Sequence, residues 1–284
     1  MSLPALRDGE GFRDSLSFDF ADPQSGASGL VLVELRPAAN RAVALGLVLE
    51  QDGEIELSRS EVDLDPPADW GSVELDGVRV ADDGERAAVA LEAEEWDLEL
   101  EVTRLVGAAF EAGSSFTEGS GLTHEVFSAR VDGAWRSGGS TTRIATPGRV
   151  TRTAGDLDWA RIELIRSLAA VLDDGSLLAV ASARPRGAAG HGEEATSAVL
   201  LDADGVVSQF AEPLLSTEYD ASGRHRRAGV ELWGPDDAAA LRGAGTRLGG
   251  ATVELGDTSL DTAFLSFTLD GAPGTAKYDL VRGT

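Results

Sequence analysis

The pair Asp-Gly stands at 8–9, 52–53, 76–77, 83–84, 132–133, 174–175, 204–205 and 270–271, in most cases between short apolar runs. Aspartate tolerates a left-handed backbone and glycine adopts one at little cost, so this pair between apolar runs signals a type I′ hairpin turn. The runs themselves alternate. Val43, Leu45, Leu47 and Leu49 precede one turn, and Ile55 and Leu57 follow it. In "EWDLELEV", Trp96, Leu98, Leu100 and Val102 share one face and Asp97, Glu99 and Glu101 the other. Period two with acids outward describes a sheet with one wet face. Strands of this length joined by tight turns predict an all-β chain of antiparallel meanders, hence a barrel or a sandwich.

Helix is expected to be scarce. The best candidate is "GPDDAAALRGAG", with Pro235 suited to a first turn and Gly243 to a stop. The segment from Trp159 to Leu172 is ambiguous, because Trp159, Ile162, Ile165, Leu168 and Leu172 recur roughly as on a helix face. It runs straight into Asp174-Gly175 and a second apolar run, Leu177 to Ala181, and that continuation favours a strand hairpin. Pro- and Gly-rich breaks fall at 21–29, 63–71, 111–121 and 184–194 and read as turns or lids. A boundary near "IATPGRV" divides the chain into domains 1–146 and 147–284, of similar length and hairpin content.

At 284 residues either two such domains or one large β domain can bury a real core. The formal charge of −25, weighted toward the first half, argues against nucleic acid and anionic lipid as partners, since both call for a basic surface. No apolar run is long enough for a membrane-spanning helix, and the opening "MSLPALRDGEG" lacks the pattern of a secretory signal. Cytoplasmic residence is the expectation. Without cysteine there is no disulfide framework, no thiolate nucleophile and no cysteine-held zinc. Of the basic residues only Lys277 is a lysine.

No catalytic signature with a built-in mechanism is present: no Gly-x-Ser-x-Gly elbow, no phosphate loop, no His-Glu-x-x-His helix. "GAGTRLGG" (243–250) has the wrong glycine spacing for a dinucleotide loop and no βαβ surroundings. His124, His191 and His225 are far apart, and "RHRR" (224–227) reads as a salt-bridging surface patch. "EVDLDPPAD" does not fit a calcium loop. No cofactor and no metal are expected. The aromatic residues Trp135, Trp159, Trp233, Phe264, Phe267 and Tyr278 suit either the core or the wall of an apolar ligand site.

Taken along the chain, "FDFADPQSG", "LVLVELRPAANRA", "THEVFSARVDG", "GDLDWARIELIRSLAAVLDDGSLL" and "GTAKYDLVRG" resemble the tandem lipocalin-like superfamily, which includes carotenoid 1,2-hydratases (hydroxyneurosporene synthases) and AttH-like proteins. The resemblance is diffuse over most of the chain. It implies two calycin-type β-barrel domains packed side by side, with an apolar ligand site in or between them. Many relatives carry a segment resembling His-Tyr-Glu-Gln and, downstream, one resembling Arg-Asp-His-Ser-Trp-Gly-x-Arg-Asp-Trp. His124 and Glu125 match the first, and Gly155, Asp158 and Trp159 the end of the second. Arg152 stands where the histidine falls and Ala154 where the tryptophan falls. Adding water to an unactivated alkene needs a positioned acid and a dry aromatic wall. Arginine is a poor proton donor at neutral pH, so the departure implies chemistry lost or changed.

Three functions follow. One is a noncatalytic binder of an apolar or amphipathic small molecule such as an isoprenoid, polyketide or lipid, with His124, Trp135, Arg152, Trp159 and Trp233 as ligand-binding candidates. A second is a hydratase, isomerase or cyclase in which Asp158 or Glu125 supplies the acid and Arg152 orients a polar end of the substrate. A third is a stress or interaction protein with no small ligand. Asp158 and Trp159 have a structural alternative: the carboxylate fixes the loop while the indole plugs a barrel end.

Overall fold

The computed structural model describes residues 11–23, 25–50, 53–64, 70–210, 212–221, 223–234 and 240–284. It is an all-β protein whose chain divides into two compact units, Met1–Leu105 with Phe127–Asp156, and Val106–Val126 with Leu157–Thr284. No single cut separates them, because the outer end of one long hairpin is counted in the second unit.

Ten strands make the first sheet: β1 (Phe12–Ala21), β2 (Ser28–Arg36), β3 (Arg41–Leu49), β4 (Ile55–Asp63), β5 (Val73–Leu75), β6 (Val78–Asp82), β7 (Arg86–Glu92), β8 (Trp96–Phe110), β9 (Leu122–Ser137) and β10 (Ser140–Asp156). Their order is β4-β3-β2-β1-β10-β9-β8-β7-β6-β5. Neighbours in sequence are neighbours in the sheet except at β4 and β5, and β10 returns to lie antiparallel to β1, Phe12 facing Asp156. The result is a curled, nearly closed antiparallel barrel with its seam between β4 and β5. Period-two side chains fill it: Leu16, Phe18 and Phe20 of β1, Val31, Val33 and Leu35 of β2, and Trp96, Leu98, Leu100 and Val102 of β8 belong to one core.

The second sheet repeats the scheme with β11 (Ile162–Leu172), β12 (Leu177–Pro185), β13 (Ala195–Leu201), β14 (Val207–Gln209), β15 (Glu212–Tyr219), β16 (His225–Trp233), β17 (Leu241–Leu255), β18 (Thr258–Leu269) and β19 (Ala272–Gly283), ordered β14-β13-β12-β11-β19-β18-β17-β16-β15. Again the final strand pairs with the first, Leu168 facing Tyr278. The inward face carries Leu164, Leu168, Ala170, Leu178, Val180, Phe267 and Tyr278. The outward faces of β11, β12 and β13 are buried beneath α1 (Ser115–Ser120) and its flanking strand ends, where Phe110, Phe116 and Val126 meet Ile165, Ala179 and Val199. Ser114 caps α1 by accepting from the Thr117 amide, and Gly121 ends it at φ 78°.

The Trp159–Leu172 ambiguity resolves as strand: β11 and β12 pair around Asp174-Gly175. Among the Asp-Gly pairs whose two residues are both described, only Asp270-Gly271 has positive φ at both, 47° and 85°, as a type I′ turn requires. At 76–77, 83–84, 174–175 and 204–205 the glycine alone is left-handed. Asp132-Gly133 is no turn, for it lies inside β9. There a Cβ on Gly133 would stand 2.1 Å from the Glu99 carbonyl oxygen, so glycine is needed for close backbone approach. The helix expected at 234–245 falls partly on 235–239, outside the described residues. From Leu241 onward the segment is β17, and Gly243 and Gly245 leave room for Phe267 and Leu265 instead of stopping a helix. The prolines of "DLDPPADWG" also lie outside the described residues. Among the described residues no helix is long and apolar enough to cross a membrane.

Candidate functional site: a buried polar cluster in the second sheet

Each barrel has an apolar inward face interrupted by ionisable residues. In the second, β11 presents Leu164, Arg166, Leu168 and Ala170 on one face, and β18 presents Asp261, Ala263, Leu265 and Phe267. Arg166 is ion-paired with Glu194 and donates to Thr217 Oγ1 at 3.2 Å. Glu194 follows a single 3-10 turn, His191–Glu193, and accepts from Ser182 Oγ at 2.9 Å, with His191 Nδ1 at 3.0 Å. The Tyr278 hydroxyl and Thr217 Oγ1 are 2.5 Å apart, and the Tyr278 ring meets His225 edge-on at 5.1 Å. His225 Nδ1 lies 2.7 Å from Asp261 Oδ2, and the other oxygen of that carboxylate accepts from Thr252 at 3.3 Å. Arg247 reaches the His225 carbonyl at 3.1 Å and stands 3.9 Å from Asp261.

Strand irregularities put these groups together. Along β15 and β16 the register steps from Glu218↔Arg227 to Tyr219↔His225, so Arg226 is an extra residue. This bulge advances the alternation by one and turns His225 inward, fully buried, between exposed arginines. A second bulge, at Leu248, lets both Arg247 and Thr252 approach Asp261. A third, at Glu163, lies at the start of the strand that carries Arg166.

The chemistry is that of a buried, hydrogen-bonded polar network. Burial alone raises the Asp261 carboxyl, but the hydrogen bond from His225 and the charges of His225 and Arg247 outweigh it and hold the group below its ordinary value. Burial also raises the Tyr278 phenol, which therefore stays protonated. An ionised Asp261 can only accept, so Nδ1 of His225 carries a hydrogen and the ring's other nitrogen faces the interior. That nitrogen, Nε2, makes no hydrogen bond among the described residues, and neither does Arg166 Nε.

The first barrel has a smaller counterpart. Asp14, on the β1 stripe with Leu16 and Phe18, accepts from Arg152 at 3.0 and 2.6 Å and from Trp70 Nε1 at 3.1 Å. A cleft of about 560 Å³ runs along β5 to β9, bordered by Arg79, Ala88, Ala90, Glu99 and Gly133, and includes no member of either cluster.

The sequence candidates are dispersed. Arg152 sits in this Asp14 cluster, and Trp135 is buried in the first unit's core. His124 is stacked on Phe110 at 6.1 Å and meets Phe116 edge-on at 5.9 Å, outside the second barrel's inner core. Burial, with the Lys277 charge, pulls its pKa down to about 4. Glu125 is half-buried on the opposite face of β9. Asp158 is exposed and its carboxylate accepts from the Ala160 amide at 2.8 Å, while its carbonyl accepts from Arg161 and Ile162. Trp159 is half-buried against the outer core, its ring under Gly283. Trp233 is exposed at the end of β16. Phe264 is buried on the outward face of β18, while Phe267 and Tyr278 are inner core. Sequence reasoning did not assemble Arg166, Glu194, His225 and Asp261. A charged residue interrupting an apolar stripe, as at Arg166 and Asp261, was the readable signal.

No family model matches the sequence, and no curated protein matches it. Solved structures do. The chain is similar to an assigned AttH of Nitrosomonas europaea, at 16% identity and a TM-score of 0.73, over 96% of this chain and 92% of that one. It is similar to CghA crystallised with Sch210972, at 14% identity and a TM-score of 0.68, over 96% and 89%. It is also similar to kievitone hydratase from Nectria haematococca, at 12% identity and a TM-score of 0.67, over 96% and 89%. At these identities the likeness is one of fold, and the chain has the AttH-like lipocalin fold that the sequence resemblance implied.

Proposed function

We propose that the protein binds an apolar or amphipathic small molecule, of isoprenoid, polyketide or lipid-like character, inside the second barrel. The observation that carries this reading is the inward face of β11, β12, β18 and β19. There an apolar wall of Leu168, Val180, Leu265 and Phe267 ends in a polar cluster that still has hydrogen-bonding atoms to offer. A mostly apolar wall with a few placed polar groups is the usual build of a small-molecule site. CghA, of the same fold, was crystallised with Sch210972. Native mass spectrometry of protein purified from its own host, followed by a thermal-shift panel of isoprenoids, polyketides and fatty compounds, tests the reading. Bound mass and a raised transition are expected. Absence of both across the panel refutes it.

One observation favours a second, catalytic reading: an Asp261-oriented His225 beside Tyr278 is a proton-transfer arrangement. On that reading the acid and base of a hydratase or isomerase come from this cluster, since Asp158 is engaged in its own turn. Turnover surviving H225F would exclude it.

A further inference from the structure

The single lysine of the 284-residue sequence stands where amine chemistry has little access to it. Lys277 lies in the middle of β19, which is hydrogen-bonded on one side to β11 and on the other to β18. Its neighbours across those pairings are Ala169 and Phe264, both buried. The side chain is 6% exposed, and Nζ donates to Asp279 Oδ2 at 2.8 Å. The other oxygen of that carboxylate accepts from Thr262 Oγ1 at 2.6 Å. Ammonium, carboxylate and hydroxyl therefore share one face of β18 and β19, and the buried His124 is close enough to feel the ammonium's charge.

A lysine is acylated through its neutral amine. The ammonium gives a proton to water, Nζ attacks the acyl carbon of a thioester or an activated ester, and the N–C bond forms as the C–S or C–O bond breaks and the thiol or alcohol leaves. The attack needs an open path to Nζ and release from Asp279, and a docked β19 denies both. Both are met when that strand has left the sheet. The product is a neutral amide, longer than the amine by its acyl group. It no longer balances Asp279, which is left on a buried face with the neutral hydroxyl of Thr262, and its bulk must find room where Phe264 and Ala169 are already packed.

We infer that Lys277 is a modification site gated by folding: acylation reaches it in chains whose β19 is not docked, and once made it prevents the second barrel from closing with its native stability. The inference is independent of the small-molecule reading above.

Acetylation with an N-hydroxysuccinimide ester, followed by mass spectrometry of the peptide that carries Lys277, tests both halves. In native buffer the intact protein should take the label there about a hundredfold or more slowly than in guanidinium, as access through rare opening of the sheet requires. For the second half, wild-type protein acetylated in guanidinium and returned to buffer should melt about 5 °C or more below K277R carried through the same treatment, which takes the label everywhere else. If that cycle is not reversible, untreated variants decide: K277Q, neutral like the acetylated side chain, should show the same deficit or fail to fold, while K277R keeps the charge and should melt close to wild type. Labelling of Lys277 in native buffer at the denatured rate would overturn the gating. Equal melting of acetylated wild type and acetylated K277R, or of K277Q and K277R, would overturn the block on closure.

Discussion

The ion pair of Arg166 and Glu194 allows a direct test of how the second barrel's interior is held. Their side chains are 3% and 2% exposed. Glu194→Leu strips the carboxylate from a buried guanidinium and leaves it the neutral hydroxyls of Thr217 and Tyr278 as partners. Removing one partner of a buried pair costs about 3–5 kcal/mol. Arg166→Met is milder, because Glu194 retains Ser182 and His191, and about 1.5–3 kcal/mol is expected. The double variant replaces both charges with apolar groups of similar size, which is near neutral at other buried pairs. The singles therefore sum to about 4.5–8 kcal/mol while the double stays near zero, so the coupling is about as large as that sum. For a unit of this size 1 kcal/mol moves the transition by about 2–4 °C. E194L should thus lower the second unit's melting by roughly 10 °C, and the added R166M should restore most of it. Scanning calorimetry of the four proteins reads the cycle. Strict additivity would show that the two groups do not act as a pair, and the account of the cluster would fail with it.

His124 makes stability depend on pH. Its folded pKa of about 4 lies below the unfolded value of about 6.5, so the unfolded chain takes up the proton first. The stabilisation is complete above pH 6.5 and is lost as the pH falls toward 4, in all about 3 kcal/mol. Denaturant titrations across that window should show the loss, and H124F should flatten it. Gly133→Ala should destabilise the first unit by about 1–3 kcal/mol, because the added methyl meets the Glu99 carbonyl at 2.1 Å, while the same change at Gly192, which is not left-handed and has nothing within 4 Å, meets no such clash. Phe267→Ala should cost about 3–5 kcal/mol by opening the second core, read as a lower midpoint in chemical denaturation.

The fold was largely legible, and the candidate site only in fragments. Alternation at Trp96–Val102 and the Asp174-Gly175 turn between two apolar runs specify their hairpins locally, so the strands could be read without knowing their partners. Gly133 and Gly243 misled because their reason is a distant neighbour, a carbonyl in one case and a phenylalanine ring in the other. His225 was hidden for a different reason. In "RHRR" every residue looks solvated, and only the bulge at Arg226, set by pairing with β15, sends the imidazole inside. Arg166 and Asp261 were visible as charges on apolar stripes, yet nothing in their spacing tells that β18 and β19 carry Asp261 and Tyr278 to the strand that holds Arg166.

In both sheets the strand made last lies against the strand made first. Asp14 and Ala154 are partners although most of a domain separates them along the chain. A ribosome delivering this polypeptide must therefore release β10 before the first barrel can shut, and β19 before the second. Until then β11 has one side unpaired, and a messenger cut short ahead of β19 would yield a product with two sticky borders. Quality control in the cell should treat such fragments as clients for chaperones or proteases.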